Sequence, residues 1–301
     1  MTDLKTRAET AIEWADKSWN PVRGCIKISP GCKHCYAERI AKRWWRGDLK
    51  EAFRPRVFED RFDYPRRWKK SSIIFTCSMS DLFQEHVDPK TIHRIFDTME
   101  HCDWHLFLVL TKRSKRMFNF MVDRYGHDRS KTPRNIWCGV SIENNDYIRR
   151  ADHLSITPAA KRFISFEPLL GKMDMFYPGW FRNIDWIIVG GESGPNARPM
   201  EAEWVEYLRQ LILHGNDEWR KEGTVEGWMP PKYDTKFFFK QWGGKRAKSG
   251  GRLLDGREWN EMPELPASVI AAREAEAEKK RKKEAGGKTD GRLLPLLDCD
   301  K

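Results

Sequence analysis

No apolar run in this 301-residue sequence approaches the ~18 residues needed to cross a bilayer, which argues against a helical membrane span. The opening, MTDLKTRAETAIEW, lacks the apolar stretch of a secretory signal, so a cytoplasmic protein is expected. Metalloprotease and deaminase signatures of the H-E-x-x-H and H-x-E…C-x-x-C types are missing. Cysteine is sparse, with seven in the chain, and there is no second Cys-x2-Cys pair to close a four-ligand zinc site. Acidic residues are outnumbered, 44 against 55 basic, giving a formal net charge of +11.

A basic excess points to a polyanionic partner such as nucleic acid or a nucleotide. Part of it lies in KKRKK, from Lys279 to Lys283, where a solvated tail needs no ligand. The cysteines are more specific. Cys25, Cys32 and Cys35 crowd into GCIKISPGCKHCYAER with Cys-x6-Cys-x2-Cys spacing. Reducing cytosol favours metal over disulfide for such a cluster. Three thiolates suit an iron–sulfur cluster with one open position. Zinc would need His34 or a distant residue as a fourth ligand, and His34 sits awkwardly between two cysteines.

Nearly continuous apolar runs begin at Ser71, Trp104, Asn135, Lys161, Ile184 and Thr235, as expected of strands buried on both faces of a parallel sheet. Helical stripes lie between them. Ala37, Ile40, Ala41 and Trp44 form one, Ile92, Ile95, Phe96 and Met99 another, and Tyr147, Ile148, Ala151 and Leu154 a third. Trp204, Val205, Leu208, Leu211 and Ile212 form the clearest, and all four are read as core-facing. With a short strand before Cys25, about seven strands alternate with helices. The rhythm is α/β and predicts a partial or complete βα barrel over residues 1–244, with an open doubly wound sheet as the alternative. The segment GKMDMFYPGWFRN after Glu167-Pro168 shows no helical pattern. Residues 245–266 are expected to form a small hairpin, turning at Asp255-Gly256, and a Pro-containing extension. Residues 267–301 read as a charged, exposed helix and a partly disordered tail, with Cys299 a bystander.

In parallel βα folds, functional side chains collect at the carboxyl ends of strands. Here the runs end in Cys77-Ser78-Met79-Ser80-Asp81, Lys112-Arg113, Ser141-Ile142-Glu143, Ser165-Phe166-Glu167, Gly190-Gly191-Glu192 and Lys240-Gln241. A buried sheet running into so many polar ends predicts a pocket. The Gly190–Gly194 turn permits close backbone approach but lacks the G-x-G-x-x-G and G-K-[ST] patterns of nucleotide loops.

Together, IEWADKSWNPVRGC, SPGCKHCYAE, LTKR, GVSIEN, FISFEPLL, GGESG and FFFKQWGG resemble a phage and mobile-element branch of the radical S-adenosylmethionine (SAM) superfamily. That branch is itself similar to photoproduct-lyase-like enzymes acting on DNA bases. The superfamily's usual spacing is Cys-x3-Cys-x2-Cys; the six-residue first gap departs from it. The resemblance implies a partial (β/α) barrel in which Cys25, Cys32 and Cys35 bind a [4Fe–4S] cluster. SAM would occupy the fourth iron and be split to a 5′-deoxyadenosyl radical. It further implies adenine contact by His34 or Tyr36, and binding of the methionyl end by Ser78, Ser80 and Asp81. Ser141 and Glu143 would contact the ribose or carboxyl end.

Glu167, Glu192, Lys112 and Arg113 would face the substrate; Lys112, Arg113, Arg198 and Lys240 could also be ordinary surface ion pairs. Cys77 would either donate a hydrogen atom or simply fill the core. The expected substrate is a nucleobase, nucleotide or nucleic acid, with an electron donor such as flavodoxin or ferredoxin. The basic tail could serve a protein partner. Two other functions stay open on sequence grounds: a metal-stabilised nucleic-acid-binding protein without catalysis, and a zinc-dependent hydrolase.

Overall fold

Every buried run becomes a strand in the computed structural model, which describes residues 9–10, 12–175, 183–221, 234–246 and 248–286. The strands are β1 Lys17–Trp19, β2 Val22–Arg23, β3 Arg56–Val57, β4 Ile73–Thr76, β5 Leu106–Thr111, β6 Ile136–Ser141, β7 Lys161–Phe166, β8 Trp186–Gly190 and β9 Lys236–Gln241. The α-helices are α1 Tyr36–Trp44, α2 Tyr64–Arg67, α3 Pro89–His101, α4 Ser114–Tyr125, α5 Arg149–Ile156, α6 Ala202–Lys221 and α7 Ala267–Gly286. Seven strands pair in parallel in the order β1-β4-β5-β6-β7-β8-β9, while β2 and β3 make a separate antiparallel pair. Within this sheet, strands follow one another in chain order from one edge to the other, the order of a βα barrel and not the reversing order of a doubly wound sheet. The result is an α/β half-barrel rather than a doubly wound sheet.

Alternation along each strand sorts side chains to two cores. Ile74, Phe107, Val109, Cys138, Val140, Ile164, Ile187, Val189 and Phe239 face the helices, where they meet Ile92, Ile95, Phe96 and Met99 of α3 and Val205 and Leu208 of α6. The opposite, concave face carries Phe75, Leu108, Trp137, Phe163, Trp186, Ile188 and Phe238, joined by Trp14. Their rings meet edge-on or tilted, with Trp186 contacting Trp14, Trp137, Phe163 and Phe238 at 5.8–6.3 Å. This aromatic plug closes the interior below the strand ends. Gly139 makes room for it: a Cβ there would lie 2.5 Å from the ring of Phe163, its register partner on β7.

The C-terminal elements seal the chain's other end. Asp255 and Gly256, with φ of 53° and 74°, make the expected tight turn, closed by paired Leu254–Arg257 backbone bonds. Asn260 bridges antiparallel to Phe238. α7 is exposed along its outer part, as its charge predicts, but its first turns are anchored. Val269 is buried, Ser268 donates to the Asp103 carbonyl, and Arg273 pairs with Asp16 at 2.7 Å. Residues 287–301, including Cys299, and residues 176–182 of the turn-rich segment lie outside the described residues. No helix among the described residues is long and apolar enough to cross a membrane.

One α-helical expectation fails. The stripe Ala37, Ile40, Ala41 and Trp44 on α1 does not face the core, because only Ala37 is buried while Ile40 and Trp44 are 45% and 75% exposed. Among the described residues, none buries Ile40 or Trp44.

His105 gives the fold a defined acid sensitivity. Fully buried at the start of β5, its Nδ1 accepts from the Ser72 N–H (3.2 Å) and its Nε2 faces the Pro65 carbonyl (3.2 Å). Burial, opposed only partly by nearby carbonyls, lowers its pKa to about 4. A depressed histidine pKa adds stability that is complete above the unfolded value near 6.5 and is lost as pH falls toward 4. The expected loss across that window is up to about 3 kcal/mol, since every tenfold change in proton affinity corresponds to about 1.4 kcal/mol. Urea denaturation at pH 7 and pH 4.5 checks it: His105→Gln should flatten the dependence. An equally steep dependence in the variant would sink the assignment.

Candidate functional site at the strand ends

Parallel pairing brings all seven carboxyl ends to one rim above the aromatic plug. The cysteine loop is drawn onto that rim at its entrance. Gly24 pairs with Ser80 beyond β4, its N–H bonds the Met79 carbonyl, and its carbonyl accepts from Ser80 Oγ (2.7 Å) and Gln84 Nε2 (2.9 Å). Gly24 has φ of +78°, and a Cβ would strike the Arg54 carbonyl at 2.2 Å, so only glycine fits this turn. Cys25 follows directly, Cys32 ends a short 3-10 turn, and Cys35 caps α1. All three are half-buried and unpaired by disulfide.

Three further strand ends fasten the loop. From the end of β5, Arg113 Nη1 reaches Cys25 Sγ (3.8 Å) and Nη2 donates to the Ile26 carbonyl (3.1 Å). From the end of β6, Glu143 accepts a 2.6 Å bond from Ser29, whose hydroxyl also lies 3.6 Å from Cys32 Sγ. Gly31 packs flat on Glu143, where a Cβ would lie 2.5 Å from the carboxylate side chain. From beyond β8, Arg198 Nη2 donates to the Pro30 carbonyl (2.9 Å). Arg39 on α1 in turn donates to the Ser193 carbonyl (2.9 Å).

These cations are themselves held by carboxylates. Asp81 is buried and fully engaged: Oδ1 accepts from Phe83 N–H and Thr111 Oγ1, and Oδ2 from Lys112 N–H and Arg113. Glu143 is fully buried and also pairs with Lys112 and with Arg150 (2.9 Å). Burial alone would raise its pKa; Lys112, Arg150 and Ser29 together hold it below the ordinary carboxylate value. Glu192 is likewise lowered against its burial, by three bonds from Arg198. Glu167 pairs with Lys240 at 2.6 Å and accepts from Ser165 (3.0 Å). Lys112 also donates to Ser141 Oγ (2.7 Å), which donates to the Glu167 carbonyl (3.0 Å).

The structure thus gathers the sequence-predicted residues, Cys77 apart, on one rim. Their partners are particular. Ser80 and Asp81, for which the resemblance implies an ammonium ligand, are already committed to the cysteine loop and to Arg113. Ser78 is bonded to Asn20, and its carbonyl accepts from Tyr36 Oη (2.5 Å). His34 is partly exposed in the turn before Cys35, with Glu192 near enough to feel its charge. Cys77 belongs to the helix-side core, where burial pushes its thiol well above the usual range. Its φ of +61° turns the chain out of β4.

Sequence reasoning missed Ser29, Arg39 and Arg150. Arg150 sits inside a helical stripe and carries no motif, so nothing in the sequence marked it. The expectation that the chain has no His-x3-His pair is also wrong, since His101 and His105 have that spacing, but His105 is committed to Ser72 and Pro65 at the amino end of β5, away from the rim that carries Cys25, Cys32 and Cys35.

Among the described residues no three Cys, His, Asp or Glu side chains converge on one ion position. A cluster offers a separate iron to each thiolate and requires no such convergence. The donor set, three thiols on one anchored loop with an arginine on one sulfur, fits that group. Without metal, burial first, then Asp81, pushes the Cys25 thiol up to about 12, with Arg113 opposing. Cluster binding would therefore displace protons.

A family profile described as "Protein of unknown function (DUF5131)" matches residues 9–219. The chain belongs to this family. No curated protein matches the sequence of this DUF5131 member. Among solved structures it is similar to spore photoproduct lyase complexed with dinucleoside spore photoproduct, at 13% identity and a TM-score of 0.39, over 62% of this chain and 59% of the lyase. A lyase variant with bound AdoMet and dinucleoside spore photoproduct matches at 15% identity and a TM-score of 0.41, over 76% and 57%. The DUF5131 chain therefore spans less than two thirds of the length of these lyase chains.

Proposed function

We propose that this protein is a radical SAM enzyme in which Cys25, Cys32 and Cys35 hold a [4Fe–4S] cluster and SAM binds beside it over the strand ends. One observation carries the reading: a three-cysteine loop fastened across the carboxyl rim of a parallel half-barrel by side chains from separate strand ends. When bound, the cluster would supply the electron for cleaving the sulfonium of SAM, and Cys25, Cys32 and Cys35 would hold it.

The chain's own residues do the positioning. Arg113 holds Cys25 and its hydrogen bond lowers charge on that sulfur. Asp81 and Glu143 act through Arg113, Lys112 and Ser29, keeping the loop in place. The aromatic plug below the rim excludes water from that side. His34 and Tyr36, at the loop's end, would contact adenine and Ser141 the ribose or carboxyl end, while Glu167, Glu192 and Lys240 would face the substrate. A net charge of +11 supports a nucleobase-containing, polyanionic substrate. A low-potential donor such as flavodoxin or ferredoxin would supply the electron.

Anaerobic purification and reconstitution test the reading. A brown protein with about four irons per chain, forming 5′-deoxyadenosine on reduction with SAM, is the expected result. A colourless protein binding one zinc and inert toward SAM would overturn it in favour of a metal-stabilised binding protein or hydrolase.

A further inference from the structure

The exposed face of α1 carries aromatic, aliphatic and basic side chains together. Helical spacing puts Tyr36, Arg39, Ile40 and Arg43 on one side. Tyr36 bonds the Ser78 carbonyl beyond β4 and Arg39 the Ser193 carbonyl beyond β8, so this side runs along the rim of the strand-end site. Tyr36 and Ile40 are 43% and 45% exposed, and Trp44, at the end of the stripe, is 75% exposed. Every residue from Lys42 to Lys50 is exposed, a run reading KRWWRGDLK.

Soluble proteins rarely leave aromatic and aliphatic side chains contiguous and uncovered without a use for them. The charges around them select the occupant. Two of the acidic neighbours are paired, Glu38 with Lys27 and Lys42 and Glu51 with Arg54 and Arg56, while Asp48 accepts the Lys50 N–H. Arg43 and Arg46 make no ion pair among the described residues, and Arg43 lies over the Trp44 ring at 5.6 Å. Exposed aromatic and cationic side chains side by side match the alternating bases and phosphates of a single strand, since any base offers a face for stacking.

We infer that α1 and the residues after it, chiefly Ile40, Arg43, Trp44 and Arg46, form a docking surface for a single-stranded stretch of nucleic acid leading into the strand-end site. The inference rests on the nucleic-acid reading of the substrate and adds its location. A base stacks on Trp44, while Arg43 and Arg46 take phosphates. A paired duplex hides its base faces and would gain only the phosphate contacts.

Fluorescence anisotropy of the full chain with labelled oligothymidylate, and with a duplex of the same length, tests this. Single strand should bind more tightly than duplex, and Trp44→Ala should weaken it about tenfold, the scale of one stacked base. Arg43→Gln should lower the slope of log affinity against log salt by about 0.7, one phosphate contact on a single strand. Both side chains are exposed, and unchanged melting temperatures would confirm that the variants fold. Binding by the wild type that neither substitution alters would overturn the surface while leaving the nucleic-acid reading intact. Failure of the wild type to bind any oligonucleotide would overturn both. Competition by polyglutamate as strong as by oligothymidylate would mark the face as a dock for acidic proteins instead. A wild-type dimer that Trp44→Ala converts to monomer would assign it to a second copy of this chain.

Discussion

Replacing Cys32 with alanine is expected to abolish iron binding and SAM cleavage while leaving the fold intact. Cys32 is half-buried at the end of a 3-10 turn whose backbone bond, Cys32 N–H to the Ser29 carbonyl (2.9 Å), does not depend on the thiol. Loss of a small, partly exposed side chain outside the core changes stability by roughly 0.5 kcal/mol or less. Loss of one of three thiolates leaves an iron without its protein ligand, and a cluster held at two points is not retained. Iron analysis, the visible absorption of the reconstituted protein and a melting curve separate the two effects. A Cys32→Ala protein that keeps its full iron content would remove the triad from the mechanism. Cys77→Ala is the internal control, because Cys77 lies in the helix-side core and its loss should leave the iron content unchanged.

Glu143→Ala should destabilise the folded chain by about 3–5 kcal/mol, the usual cost of leaving a buried charge without its partner. Arg150 is buried, and its Nη1 is shared between Glu143 and the Ser141 carbonyl (2.6 Å), so only half of its bonding would survive. Lys112 and the Ser29 hydroxyl would lose the same acceptor. Ser29 precedes the turn carrying Cys32, so the variant should also bind iron poorly. Glu143→Gln keeps the shape and should cost less. Because Glu143 titrates below its unfolded value near 4.3, its contribution is complete above that pH and is lost on acidification through the folded value. The difference between wild type and Glu143→Gln should therefore shrink below about pH 4. Urea denaturation measures both. A Glu143→Ala loss under about 1 kcal/mol would mean that the loop is held elsewhere.

The residues show why some of this was legible in advance. Runs such as LFLVLT and IWCGVS are apolar on both faces, and only a sheet covered on both sides accommodates them. The rim was legible for the same reason, since a buried strand must end where polar residues begin. The α1 stripe was misread because amphipathic spacing reports that a helix has two unlike faces, not what covers either of them. On α3 the apolar face meets the sheet; on α1 it meets solvent beside the site. Arg113 looked like a substrate contact because strand-end cations often are, yet its guanidinium bonds Cys25, Ile26, Asp81 and Glu85.

The sequence alone determined an α/β fold of about seven buried strands, through its apolar runs and helical intervals, and the presence of a three-thiol loop ahead of α1. Both are local: spacing and hydropathy over a dozen residues suffice to specify them. The tertiary structure alone decided which cation meets which carboxylate and which strand end fastens which part of the loop. Ser29 meets Glu143 across 114 residues and Arg113 meets Cys25 across 88. Such pairs form because burial makes an unpaired charge costly, and burial is a property of the assembled fold rather than of any segment.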